Sequence, residues 1–98
     1  MLVNDNTIRK DIEMYEKKLH IYKNQYEILL DKQRECWVLL EDEDISQKVW
    51  DYYSNLYDQN LDIMDKLEVK IEILEEAIEQ LKNIVEILDI VEVEIEGV

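Results

Sequence analysis

Apolar positions in the first part of the chain repeat at alternating steps of four and three residues, from Ile8 to Leu40. The repeat consists of Ile8, Ile12, Tyr15, Leu19, Tyr22, Tyr26, Leu29, Gln33, Cys36 and Leu40. A seven-residue spacing held over this length is typical of a left-handed coiled coil. The pattern therefore predicts one long helix over about residues 7–41.

Four consecutive acidic residues, at positions 41–44, then interrupt the apolar repeat and predict a turn. Asp44 stands three residues before Gln47, the spacing of a capping box that would start the next helix. The second repeat predicts a helix over about residues 45–90. Its members are Val49, Tyr53, Leu56, Asn60, Ile63, Leu67, Ile71, Leu74, Ile78, Leu81, Val85 and Leu88.

Two successive steps of four, between Ile63 and Ile71, predict a stutter in this second helix. The absence of Pro and the single Gly, Gly97, favour a continuous helix. The alternative is a break near Gln59-Asn60 that would give a three-helix bundle. The preferred fold class is all-α: one domain, residues 1–98, built as a long antiparallel helical hairpin of the coiled-coil type.

Folding the second helix back about the acidic turn pairs residues whose numbers add up to roughly 86. In that register the first helix ends opposite residue 80, and the apolar positions beyond it have no partner in the chain. We therefore predict a homodimer that closes a bundle around them. The predicted oligomer interface is Leu81, Ile84, Val85, Ile87, Leu88 and Val91.

The apolar period changes from about 3.6 to 2 in the segment 91–96, where valine or isoleucine alternates with glutamate. This alternation predicts a short β-like segment in which Val91, Val93 and Ile95 pair with another strand. The candidate partners are Met1-Leu2-Val3, a second copy of the segment, or a foreign sheet edge. A frayed acidic tail is the alternative.

The net charge of −14 is confined to the second part of the chain. Residues 1–40 have seven basic and seven acidic side chains, whereas residues 41–98 have four lysines and eighteen carboxylates. This distribution argues against direct binding of nucleic acid or an anionic membrane and favours a basic protein partner. The predicted acidic binding face is Asp58, Asp62, Asp65, Glu68, Glu72, Glu75, Glu76 and Glu79.

The residues that support catalysis are sparse. The only histidine, His20, lies on the same predicted helix as the only cysteine, Cys36, about 24 Å away along the axis. One histidine is too few for a di-metal carboxylate site, and the acidic turn lacks the glycine of a calcium loop. We predict no enzymatic activity, no cofactor and no metal. The single cysteine and the lack of a long apolar run predict a soluble, cytoplasmic protein.

In size and charge the chain resembles small acidic inhibitors encoded by phages, including anti-restriction and anti-CRISPR proteins. That resemblance implies an anti-defence function, in which the acidic face mimics nucleic acid or sterically blocks a nucleic-acid-handling protein. In length and two-helix outline the chain is also similar to the WXG-type secretion partners. Their Trp-x-Gly turn is absent, because Trp37 precedes Val38-Leu39 and Trp50 precedes Asp51-Tyr52.

The second resemblance implies a structural adaptor or chaperone that holds another helical protein. Such a protein needs an exposed apolar anchor, and tryptophan and tyrosine are the residues that dominate binding hot spots. Four residues near the predicted hairpin tip are the candidates: Val38, Trp50, Tyr52 and Tyr57.

Overall fold

Two long helices make up the fold. A computed structural model of the protein describes the backbone of residues 5–96 and the side chains of residues 6–91. Helix α1 is Asp5–Leu40 and helix α2 is Gln47–Glu96. The two helices pack against each other as a helical hairpin, which confirms the predicted all-α hairpin. Gln59 and Asn60 lie inside α2, so the three-helix alternative is wrong.

The connection between the helices is longer than predicted, because α2 begins at Gln47. Ser46 caps it: the backbone N–H of Val49 donates to the Ser46 hydroxyl over 3.3 Å. Asp42 instead stabilises the turn by accepting from the N–H of Asp44 over 3.0 Å. The predicted capping box of Asp44 and Gln47 is therefore wrong, since a serine nearer the helix satisfies the free donor.

Helix α2 continues through Glu96, so the predicted change to a β-like segment at residues 91–96 is wrong. A helix satisfies its backbone hydrogen bonds within the segment, whereas a lone strand needs a partner. Leu88, Val91 and Ile95 also follow the helical spacing of three and four. The side chains of Val93 and Ile95, and the proposed pairing segment 1–3, lie outside the described residues.

The chain divides into two compact units, each of which contains part of both helices. Unit 1 comprises the described residues up to Ile21 and those from Ile71 onward. Its core is formed by the buried Ile8, Ile12, Ile78 and Val85, with Tyr15, Leu19, Leu81 and Leu88 packed against them. Three residues of the predicted oligomer interface, Leu81, Val85 and Leu88, are thus covered by the chain's own α1.

Unit 2 comprises Tyr22–Lys70. In this unit Met64 is 6% exposed, whereas Ile63, which the sequence assigns to the seam, is 46% exposed. Tyr53, Tyr57, Asn60, Met64 and Leu67 are buried or half-buried positions of α2 in this unit, and their steps alternate between four and three; Ser54 and Leu56 are half-buried as well. The predicted stutter is therefore wrong, because the seam passes through Met64 and keeps its seven-residue period.

The register of the two helices also differs from the prediction. In unit 1 the ion pair Arg9–Asp89 has residue numbers that add up to 98, and in unit 2 the bonded pair Gln33–Tyr57 adds up to 90. The apolar seams of the two helices face each other only when the numbers of facing residues add up to 86, 93 or 100, because the apolar repeat recurs every seven residues. In unit 2 the contacts Tyr26–Glu68 and Trp37–Tyr57 each add up to 94 and agree with 93, one heptad from the predicted 86. In unit 1 the sum of 98 lies between 93 and 100 and excludes 86.

One polar layer accounts for this choice in unit 2. At 93 the seam places Gln33 at the level of Asn60, and both residues are only 6% exposed. The Gln33 side-chain N–H donates to the carbonyl oxygen of Tyr57 over 2.9 Å. If the numbers of facing residues added up to 86, each amide would instead face an aromatic residue of the seam. Because a buried amide is costly beside apolar groups, matching the two amides selects the observed register.

The two buried amides lower the free energy of unfolding by a measurable amount. Within the described residues, the Gln33 side-chain oxygen and the Asn60 side-chain nitrogen are buried without a hydrogen-bond partner. We expect the double variant Gln33→Leu/Asn60→Leu to raise the free energy of unfolding by about 1–3 kcal/mol. Urea denaturation followed by circular dichroism measures this change.

The two single variants are the controls for this prediction. Each should gain less than half of the double variant's increase, because it leaves the other amide facing a leucine. A double variant that is less stable than the wild type would contradict the prediction and would mean that the two amides stabilise each other.

Candidate functional site

Heptad positions divide the surface of unit 1 into two flanks. With Ile12 and Ile78 at position a, the e positions of both helices lie on one side of the seam. There the Arg9 guanidinium is 3.3 Å from the Asp89 carboxylate, and the Lys82 ammonium is 3.1 Å from the Glu16 carboxylate. We call these four residues the ion-pair flank. Since all four side chains are about half exposed or more, each pair contributes only about 0–1 kcal/mol.

The opposite side of unit 1, at positions c and g, is almost free of charge. We call it the apolar flank; it comprises Thr7, Asp11, Met14, Lys18, Ile21, Ile73, Ala77, Gln80, Ile84, Ile87 and Val91. Ile73 and Ile87 each expose 59% of their surface. Depletion of charge around exposed large side chains is the compositional signature of a protein interface. The apolar flank is therefore a candidate binding surface.

The apolar flank contains only half of the predicted oligomer interface. Ile84, Ile87 and Val91 are exposed on it, whereas Leu81, Val85 and Leu88 lie in the core of unit 1. Sequence reasoning identified the apolar stripe on α2 but missed its continuation on α1, at Met14 and Ile21. Their seven-residue separation was the available signal. The homodimer itself stays a prediction.

The predicted acidic face consists of exposed side chains throughout. Its members in unit 2 are Asp58, Asp62, Asp65 and Glu68, and its members in unit 1 are Glu72, Glu75, Glu76 and Glu79. Asp62 is partly compensated, because the Lys66 ammonium lies 3.0 Å from its carboxylate. Within the described residues, Glu72, Glu76 and Glu79 form no ion pair. In unit 2, Asp58, Asp65 and Glu68 form no ion pair with a described residue either, so at least three of the four acids in each unit are uncompensated.

One acid of unit 2 also binds a tyrosine. The Tyr26 hydroxyl donates to the Glu68 carboxylate over 3.0 Å. This hydrogen bond raises the pKa of Tyr26 above its ordinary value, and burial and the negative charges of Glu68, Asp65 and Glu27 act in the same direction. The Lys70 ammonium lies 5.4 Å from the centre of the Tyr22 ring, within range of a cation–π contact.

The tip residues of unit 2 divide into exposed and packed groups. Val38, Trp50 and Tyr52 are exposed, as an anchor for a partner would be. Tyr57 is half-buried, and its ring centre lies 6.2 Å from that of Trp37 at an angle of 44°. Tyr57 is therefore engaged in packing, and the three exposed residues are the available part of the predicted anchor.

Side chains with catalytic or metal-binding chemistry are dispersed. Cys36 is buried in unit 2, whereas His20 is exposed in unit 1. Among the described residues, no three His, Cys, Asp or Glu side chains are grouped so as to hold a metal ion. The helices, as far as they are described, also contain no segment long and apolar enough to cross a membrane.

Comparison with known proteins gave no match to a family model, a curated protein or a solved structure.

The Tyr26–Glu68 hydrogen bond makes stability depend on alkaline pH. Because the pKa of Tyr26 is raised in the folded protein, the bond stabilises fully below pH 10 and is lost as the pH rises through the folded value. We expect Glu68→Gln to bring the pKa of Tyr26 back toward its ordinary value. The loss of stability above pH 10 should become smaller in Tyr26→Phe.

NMR titration of the labelled Tyr26 ring measures the first effect, and urea denaturation at increasing pH measures the second. Glu43→Gln, which makes the same change of charge in the turn, is the matched control. An equal Tyr26 pKa in Glu68→Gln and in the wild type would contradict the assignment.

Proposed function

We propose that the chain is a non-enzymatic, acidic protein-binding module whose α2 helix occupies a basic surface of another protein. The observation that carries this proposal is the sorting of charge on α2 within unit 1. Residues 71–91 contain six carboxylates and one lysine, all at positions b, e and f, whereas positions c and g contain none. Such a one-sided negative field attracts and orients a basic partner.

The spacing of these charges supports a nucleic-acid-handling protein as the target. Glu72, Glu75, Glu76 and Glu79 lie within about 10 Å along the helix axis, or roughly one charge per 3 Å. A single strand of duplex DNA carries one phosphate per ~3.4 Å. The exposed carboxylates of α2 thus approach the charge density that a phosphate-binding groove recognises.

A module of this kind acts by steric block or nucleic-acid mimicry, as in an anti-defence inhibitor of the cytoplasm. It binds no nucleic acid directly, since its own negative charge repels phosphate, and for the same reason it avoids anionic membranes. The partner is a basic protein, and the complex is expected to weaken as the salt concentration rises.

A structural adaptor or chaperone is the second candidate function. The exposed Val38, Trp50 and Tyr52 of unit 2 favour it, because large apolar side chains anchor helical partners. In that case burial of apolar surface supplies the affinity, and the complex resists salt. Response to salt therefore distinguishes the two functions.

The test uses the immobilised chain to capture proteins from a cell lysate freed of nucleic acid. We expect basic, nucleic-acid-binding proteins that elute with salt and that free duplex DNA displaces. Replacing Glu72, Glu75, Glu76 and Glu79 by glutamine should weaken binding to a purified captured protein about tenfold or more, because four charge pairs are lost. Titration at low and high salt measures the affinity.

A matched control replaces four exposed acids outside this cluster by glutamine: Glu13, Glu27, Glu35 and Glu41. This variant has the same net charge, and binding should change little. Equal weakening by both sets would reduce the effect to net charge. Captured proteins that stay bound in high salt and are lost in Trp50→Ala/Tyr52→Ala would establish the adaptor instead.

A further inference from the structure

We infer that the apolar flank of unit 1 pairs with the same flank of a second copy about a twofold axis, so that two hairpins form a four-helix arrangement there. The acidic face plays no part in this contact, so the inference is independent of the proposed function. It rests on how side chains are sorted in unit 1, on the size of the flank, and on its two charges.

Helix α2 is apolar on two faces within unit 1. Its a and d positions are filled by the core, and its six c and g positions contain five apolar residues and one glutamine. Of the nine b, e and f positions, seven are charged. A helix paired with a single neighbour needs one apolar stripe, whereas a second stripe is typical of a helix packed on two sides. Helix α1 covers only the first stripe.

The size of the flank suits a pair of copies. From Ile73 to Val91 the flank extends about 27 Å along α2, and two adjacent helices are about 20 Å wide. This footprint is roughly 500 Å² per copy, or about 1,000 Å² for two copies, which reaches the lower limit for a specific interface. We therefore expect a reversible dimer.

The two charged residues of the apolar flank indicate that its partner is a second copy of the chain. Its only charged residues are Asp11 and Lys18, which have opposite signs and lie seven residues apart on α1. Within the described residues neither forms an ion pair. A twofold axis that passes near Met14, midway between them, places Asp11 of one copy opposite Lys18 of the other, twice. The flank is thus complementary to itself, as a twofold interface requires.

The geometry of this pairing leaves the acidic face accessible. Positions b and e of α2 lie about 100–160° around the helix from position c, so Glu72, Glu75 and Glu79 remain on the outside of the pair, whereas Glu76, at position f, borders the flank. The interface contacts are made by the uncharged c and g positions of α2 and by α1, which is electrically balanced, rather than by the acidic b and e positions of α2.

Charge exchange tests the pairing. Sedimentation equilibrium of the full chain should show a dimer, and Asp11→Lys or Lys18→Asp alone should raise its dissociation constant about tenfold, because each places like charges opposite each other twice. The double variant should restore the wild-type value. An equimolar mixture of the two single variants should form a heterodimer more readily than either forms a homodimer.

Two further variants keep the result interpretable. Lys17→Asp makes the same change of charge at position f and should leave dimerisation unchanged, whereas Ile87→Glu should abolish it without unfolding the exposed site, as circular dichroism checks. A monomeric wild-type chain would overturn the inference. A dimer that responds to Ile87→Glu but whose single charge variants behave as the wild type would overturn the twofold placement at Met14.

Discussion

The burial of two amides at the same level of the seam selects which residues of α2 the first helix covers. A seven-residue apolar repeat matches another at any shift of seven, so apolar burial alone stabilises several registers almost equally. Gln33 and Asn60 remove this degeneracy, because only one shift places amide beside amide in unit 2. Their contribution is specificity of register, at a cost in stability that a pair of leucines would avoid.

The shift of the register by one heptad changes which residues near the C-terminal end of α2 are covered by α1. With the register at 86, Val85 and Leu88 would extend beyond α1 and require shelter from another molecule. In the structure both are packed in unit 1 against α1. The exposed apolar surface of unit 1 is therefore a different one, at positions c and g, and it includes Met14 and Ile21 of α1 as well as isoleucines of α2.

The helices and the α1 seam were predictable because a long apolar period is a property of the sequence itself. The α2 seam was harder to assign, since both Ile63 and Met64 are apolar and only packing shows that the seam passes through Met64. The segment after Val91 satisfies both a strand period and a helix period, and the backbone's need for internal hydrogen bonds decides for the helix.

The candidate surfaces were likewise predictable from the sequence only in part. The acidic residues were predictable as exposed, because an unpaired carboxylate is costly to bury. Their separation from the apolar flank was not, because it depends on which positions α1 covers. The Gln33–Asn60 layer could have been found from the sequence by asking which register places the two polar seam residues together.

The two contacts that we propose for unit 1, self-pairing and binding of a basic protein, should respond to salt in opposite directions. Each chain carries a net charge of −14, so two copies repel each other at low ionic strength and this repulsion weakens as salt is added. Burial of apolar surface between the copies is not screened by salt. Attraction between the acidic face and a basic partner decreases over the same range. A basic partner also neutralises the charge that opposes pairing of the chains, so its binding and dimerisation should favour each other, as linkage between the two equilibria requires.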